Sequence, residues 1–155
     1  MTADRRESRR RAAHGLGCAV ASGAAIVERA EIRVMFRRSS DEQESITRTW
    51  AEVETALGSL RGRKFYGVFD PETKEYRVCV QRRDGDDAAA LGLEDGTIAG
   101  GRYARERLEG EPPAVYRLIQ PTMERLAARP DRDPSRPEIE FYRRHDLIEL
   151  LVPVA

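Results

Sequence analysis

"RPEIEFYRRHDLIELLVPV", Arg136 to Val154, is the stretch on which the fold turns. Two β-rich runs, "EIEFYRR" and "LIELLVPV", flank the polar pair "HD", which predicts two antiparallel strands folded back on each other. Side chains alternate across a strand. Glu138, Glu140 and Tyr142 therefore share one face, and Ile139 and Phe141 share the other. If Ile139 and Phe141 pack on the core, Glu140 faces either solvent or a cleft, and the alternation leaves both open. Glu149 alternates with Ile148 and Leu150 and reads as a solvated face residue. Glu138 lies at the strand start, near water.

Upstream lies a second hairpin, "KFYGVFD" and "EYRVCVQRR" around "PETK", with Pro71 placed to start the turn. A helix precedes each hairpin. Before the first, Ile46, Trp50, Val53 and Leu57 recur at spacings of four, three and four, one apolar stripe that Gly58 closes. Ser39, Ser40 and Asp41 are its N-cap candidates. Before the second, Val115, Leu118, Ile119, Thr122, Met123 and Leu126 form an apolar helical face. Pro121 lacks the donor that this helix needs, which predicts a kink or break near Arg117. Each helix follows a strand, "EIRVMFRR" (31–38) or "TIAGGRYARERLEG" (97–110).

The order strand, helix, hairpin thus occurs twice. An α+β fold follows, with two pseudo-symmetric repeats building an antiparallel sheet that carries two main helices. Placing Arg63 over Arg136 sets Gly67 over Glu140 and Phe69 over Tyr142 and superposes the helices. "DGDDAAALGLEDG" (84–96) is a polar connector in which "AAALG" offers a helical turn. Residues 1–27 begin basic and continue with small, weakly apolar residues broken by His14 and Ser22. They read as a disordered or loosely helical extension rather than an export signal, ahead of a domain over 28–155.

Composition narrows the function. The chain has 155 residues, enough for one domain with a sizeable core. Its 27 basic and 27 acidic residues balance, so no global charge attracts nucleic acid. No apolar run approaches the ~18 residues of a transmembrane helix, and a cytoplasmic location is expected. Cys18 and Cys79 form no CxxC pair, and His14 and His145 lack ligand spacing, so no metal site is expected. No phosphate-binding loop or Ser/His/Asp set appears, and no cofactor is expected. The arginine runs, each flanked by acids, read as solvated faces.

Two strand–helix–hairpin repeats, a "YAR" strand leading through "EG" into the second helix, then "RPEIEFY" and a terminal "ELLVPV", resemble the GyrI-like small-molecule-binding domain. The same domain is called the AraC-type effector-binding domain when fused to a transcription factor. The resemblance covers about Val27 to Val154 and looks like the stand-alone form, since no helix-turn-helix reader is legible; direct DNA binding is not expected. It implies two halves sharing a sheet, with a central groove between them that takes bulky, often cationic aromatic compounds. A groove glutamate in a Glu-x-Tyr setting falls on Glu140 and Tyr142.

On that implication the ligand-binding candidates are Trp50, Phe65, Tyr66, Phe69, Tyr103, Glu140 and Tyr142. A carboxylate desolvated among aromatic rings calls for a cation or a hydrogen-bond donor, and a lipophilic cation supplies charge while rings take its apolar surface. Gly67, superposed on Glu140, either leaves room for a ligand ring or marks a β-bulge. Three functions stay open: a binding module for such molecules; a hydrolase of strained, cyclopropane-bearing electrophiles using Glu140 and Tyr142; and a gyrase-inhibitor-like protein-interaction module. Edge strands also allow a homodimer.

Overall fold

The two hairpins meet at the centre of one sheet in the computed structural model, which describes residues 18–155. β4 (Phe65–Asp70) pairs antiparallel with β8 (Glu138–Arg144), and Gly67 lies directly opposite Glu140. Residues that face each other across a local two-fold axis are each other's equivalents, so the register matches the superposition of the two halves. β5 (Glu75–Gln81), β3 (Ile32–Ser40) and β6 (Glu94–Ile98) extend the sheet on one side. β9 (Leu147–Pro153) and β7 (Gly101–Gly110) extend it on the other. Two short strands, β1 (Ala19–Ala21) and β2 (Ala25–Arg29), pair with β7. The path is β1-β7-β9-β8-β4-β5-β3-β6, antiparallel throughout.

Helix α1 (Gln43–Leu57) buries Ile46, Trp50 and Val53. The expected long second helix is broken into α2 (Ala114–Arg117) and α3 (Ile119–Ala127) at Leu118, where Pro121 leaves the Arg117 carbonyl without its helical donor. All three helices pack on one face of the sheet with Phe65, Tyr76, Tyr142, Ile148 and Leu150. Among the described residues no helix is long and apolar enough to cross a membrane.

The other face carries no helix, yet it is apolar too. Tyr66, Val68, Cys79, Ile139 and Leu151 are buried there. Curvature explains their burial. β7 and β3 lie five strand steps apart, about 24 Å across a flat sheet at ~4.8 Å per step. Only Ala30 and Glu31 join β2, on β7, to β3, and such a connector reaches roughly 10 Å. Ala99 and Gly100 join β6 to β7 in the same way. The sheet must therefore roll, with its helix-free face inside. The two connectors touch where they cross: a Cβ on Gly100 would stand 2.8 Å from the Glu31 amide nitrogen and 2.9 Å from the Arg29 carbonyl oxygen.

Four expectations need correction. Residues 18–27 are not a loose extension, because β1 and most of β2 cover the long outer edge of β7, which would otherwise leave backbone groups unpaired. Residues 1–17 lie outside the described residues. "TIAGGRYARERLEG" is two strands, not one, since the chain turns at Ala99–Gly100 between β6 and β7. The N-cap of α1 is Glu42, because β3 runs on through Ser40. Glu138 and Glu149, expected near water, are 8% and 0% exposed, since both faces of the rolled sheet are covered.

Candidate functional site

Over the Gly67–Glu140 pair lies a cleft of about 240 Å³ between α1 and α3. Its floor comes from the sheet, with Glu138 and Glu140 from β8, Phe69 from β4 and Tyr76 from β5. Ile46 and Gln43 of α1 form one wall, and Met123, Gln120 and Glu124 of α3 form the other. Asp41, just before α1, stands at the rim. Among the described residues lining this cleft four are acidic and none is basic, so its field favours a cation.

Glu140 is 5% exposed and its Oε1 accepts two hydrogen bonds, from the Tyr76 hydroxyl and the Tyr142 hydroxyl, each at 2.9 Å. Both phenols are held rigidly. Tyr142 meets Trp50 edge to face at 5.3 Å and 84°, and Trp50 tilts against Phe65 at 5.9 Å and 44°. Tyr76 sits over Gly67, where a Cβ would fall 1.9 Å from its hydroxyl oxygen and 2.7 Å from Glu140 Oε1. The absent side chain at Gly67 thus makes room for the Tyr76–Glu140 bond, not for a ligand ring as the sequence suggested. Two local repeats converge on one carboxylate oxygen through this gap, and that oxygen has a fixed position at the cleft base.

The structure separates the sequence-predicted residues into three groups. Glu140 and Phe69 line the cleft. Tyr142, Trp50 and Phe65 lie behind it, in the core that fixes Glu140. Tyr66 and Tyr103 are on the opposite, helix-free face, in a separate cavity. Sequence reasoning missed Tyr76, although a signal was present: in the "FDPETKEY" hairpin it faces Phe69, hence it shares a side with Gly67 and Glu140. Alternation already puts Glu138 on the face of Glu140, although its place at the strand start reads as near water; Asp41 and Glu124 had no comparable signal, because only the packing of the helices brings them to the cleft.

No family model matches the chain, and no curated protein matches it in sequence. Solved structures do match. An integron cassette protein, VCH_CASS2, from the mobile metagenome of Vibrio cholerae superposes with a TM-score of 0.70 at 18% identity, covering 88% of this chain and 99% of that one. SAV2435, bound to tetraphenylphosphonium, gives 0.63 at 16% identity over 85% of this chain and 93% of its own. A putative bacterial transcription regulation protein from Staphylococcus aureus MU50 gives 0.57 at 14% identity over 84% and 97%. At these identities the likeness is one of fold. That fold, at least, accommodates a bulky aromatic cation in SAV2435.

Proposed function

We propose that the chain is a GyrI-like domain that captures bulky aromatic cations in the cleft between α1 and α3. The observation that carries this reading is Glu140, buried at the cleft base with Oε1 fixed by two tyrosine hydroxyls. A carboxylate there is shielded from water, so a cation that enters meets little competing solvation and a preorganised charge. Phe69, Ile46 and Met123 supply apolar contact, and Met123 adapts its shape to different ligands. At about 240 Å³ the cleft holds part of a large cation, with the remainder reaching past the acidic rim. The tetraphenylphosphonium bound by SAV2435 supports the choice of ligand class.

The geometry supports capture over turnover. A hydrolase built on Glu140 and Tyr142 needs a phenolic proton aimed at a leaving atom, and both phenols here donate to Glu140 instead. Calorimetric titration with tetraphenylphosphonium tests the reading. Wild type should bind one equivalent, and Glu140→Ala should weaken binding at least tenfold with its melting transition still cooperative. Equal affinity in the two proteins would refute it.

A further inference from the structure

The rolled, helix-free face holds a second cavity, of about 440 Å³, within the range of small-molecule sites. Its base is apolar, with Ile98, Ile139 and Leu151 buried beneath the crossing connectors. One wall is aromatic. Tyr66 and Phe141 stack with centroids 4.5 Å apart and planes 16° from parallel, and the Tyr66 hydroxyl donates to Gln81 Oε1 at 3.3 Å. The rim is cationic, formed by Arg29, Arg143 and Lys64.

The rim arginines are organised by one acid. Glu149 is fully buried and accepts from Arg29 Nη2 at 3.0 Å, Arg107 Nε at 3.0 Å and Arg143 Nη1 at 3.2 Å. Three guanidiniums share one carboxylate, which leaves two formal positive charges unbalanced within the cluster. Each guanidinium has five N–H donors, so one bond to Glu149 does not exhaust it. Arg29 and Arg143 keep 36% and 45% of their side-chain surface exposed, at the cavity mouth. Arg143 also stands over the Phe141 ring at 5.7 Å, which couples the charged rim to the aromatic wall.

We propose that this cavity is a second ligand site, selective for planar aromatic carboxylates. The ring lies against the Phe141–Tyr66 wall over the apolar base, and the carboxylate is held by Arg29, Arg143 and Lys64. Glu149 is a positioning residue, fixing the guanidiniums at the mouth. The two faces of the sheet then carry sites of opposite sign, since the cleft between the helices is lined by acids alone among its charged residues.

Calorimetric titration with 2-naphthoate tests the proposal at low salt, with naphthalene-2-methanol as the neutral analogue. Wild type should bind one naphthoate, and the alcohol should bind at least tenfold more weakly. Arg143→Gln should weaken naphthoate about tenfold, as loss of a charge-assisted bond does. Lys64→Gln, exposed and outside the Glu149 cluster, should weaken it about threefold without altering the melting temperature. Saturating tetraphenylphosphonium, and Glu140→Gln, should each leave naphthoate affinity within about twofold, because the sites lie on opposite faces. No binding at millimolar naphthoate, equal binding of the alcohol, or unchanged affinity in both rim variants would overturn the proposal. Displacement of naphthoate by tetraphenylphosphonium would overturn it as well.

Discussion

Gly67→Ala should collapse the device that fixes Glu140. The new Cβ would stand 1.9 Å from Tyr76 Oη and 2.7 Å from Tyr76 Cζ, whereas real Cβ contacts essentially never fall under 3.0 Å. Tyr76 must retreat by more than 1 Å, and it is only 2% exposed, so the ring moves into packed neighbours. Such overpacking costs about 1–3 kcal/mol. The retreat also breaks the 2.9 Å bond to Glu140, and a hydrogen bond to a charged group contributes about 1.5–3 kcal/mol. Together these predict a loss of about 2.5–6 kcal/mol, or at least about 5 °C in melting temperature for a chain of this size. Tyr76→Phe removes the atom in closest conflict and forgoes the same bond. The two changes should therefore be non-additive, the double variant being about 1.5–3 kcal/mol more stable than the sum of the single losses, the contribution of the bond that both forgo. Urea denaturation of the four proteins measures this coupling, and titration with tetraphenylphosphonium should show Gly67→Ala binding more weakly. Strict additivity, or a Gly67→Ala protein that melts within 1 °C of wild type, would refute the reasoning.

Three other outcomes are expected. Burial pushes the Glu149 carboxyl up, but hydrogen bonds from Arg107 and Arg143 and the charge of Arg29 outweigh it and hold the group below the usual glutamate range. Its stabilising contribution is thus present above the unfolded glutamate value and is lost as pH falls; Glu149→Gln should cost about 2–3 kcal/mol at pH 7 and less in acid, by urea denaturation at several pH values. Arg63 holds Asp86 bidentately at 2.6 and 2.9 Å and lowers its carboxyl to about 2, so this pair's stability should disappear between about pH 4 and pH 2, and Arg63→Gln should flatten the melting curve against pH in that window. Cys79 is buried on the concave face with its thiol pushed up to about 12 by desolvation, while Cys18 is exposed; a chromogenic disulfide at pH 8 should titrate one thiol in the folded protein and two in urea.

Much of the fold is legible in the sequence because local patterns dictate it. The α1 stripe, the two hairpins and the break before Pro121 each follow from spacing or from one residue's chemistry, and the order of elements carries the duplication through to the Gly67–Glu140 register. Glu140 and Phe69 were reachable by the same route. What was hidden is how strongly the sheet rolls. Two-residue connectors force the curvature, and curvature buries the second face, which places Tyr66 and Tyr103 away from the cleft and takes Glu149 out of water. Alternation identifies which side chains share a face but not whether that face is covered. Glu149 reads as solvated for that reason, and the arginines that pair with it are on β2, β7 and β8, far apart in sequence. Cleft residues outside the sheet were hidden for a related reason, since Gln120 and Glu124 lie on a polar helix edge and Asp41 in the bend before α1, and only the packing sets their orientation.

The central claim is that Glu140 selects charge, and one double cycle measures it directly: tetraphenylphosphonium and a neutral triaryl analogue, triphenylphosphine oxide, each titrated into wild type and Glu140→Gln. A full charge pair at about 4–5 Å in a partly buried site interacts by a few kcal/mol, so the preference for the cation should fall at least tenfold in the variant. Neutral-ligand affinity should change by less than about threefold. An equal cation preference in both proteins would contradict the account.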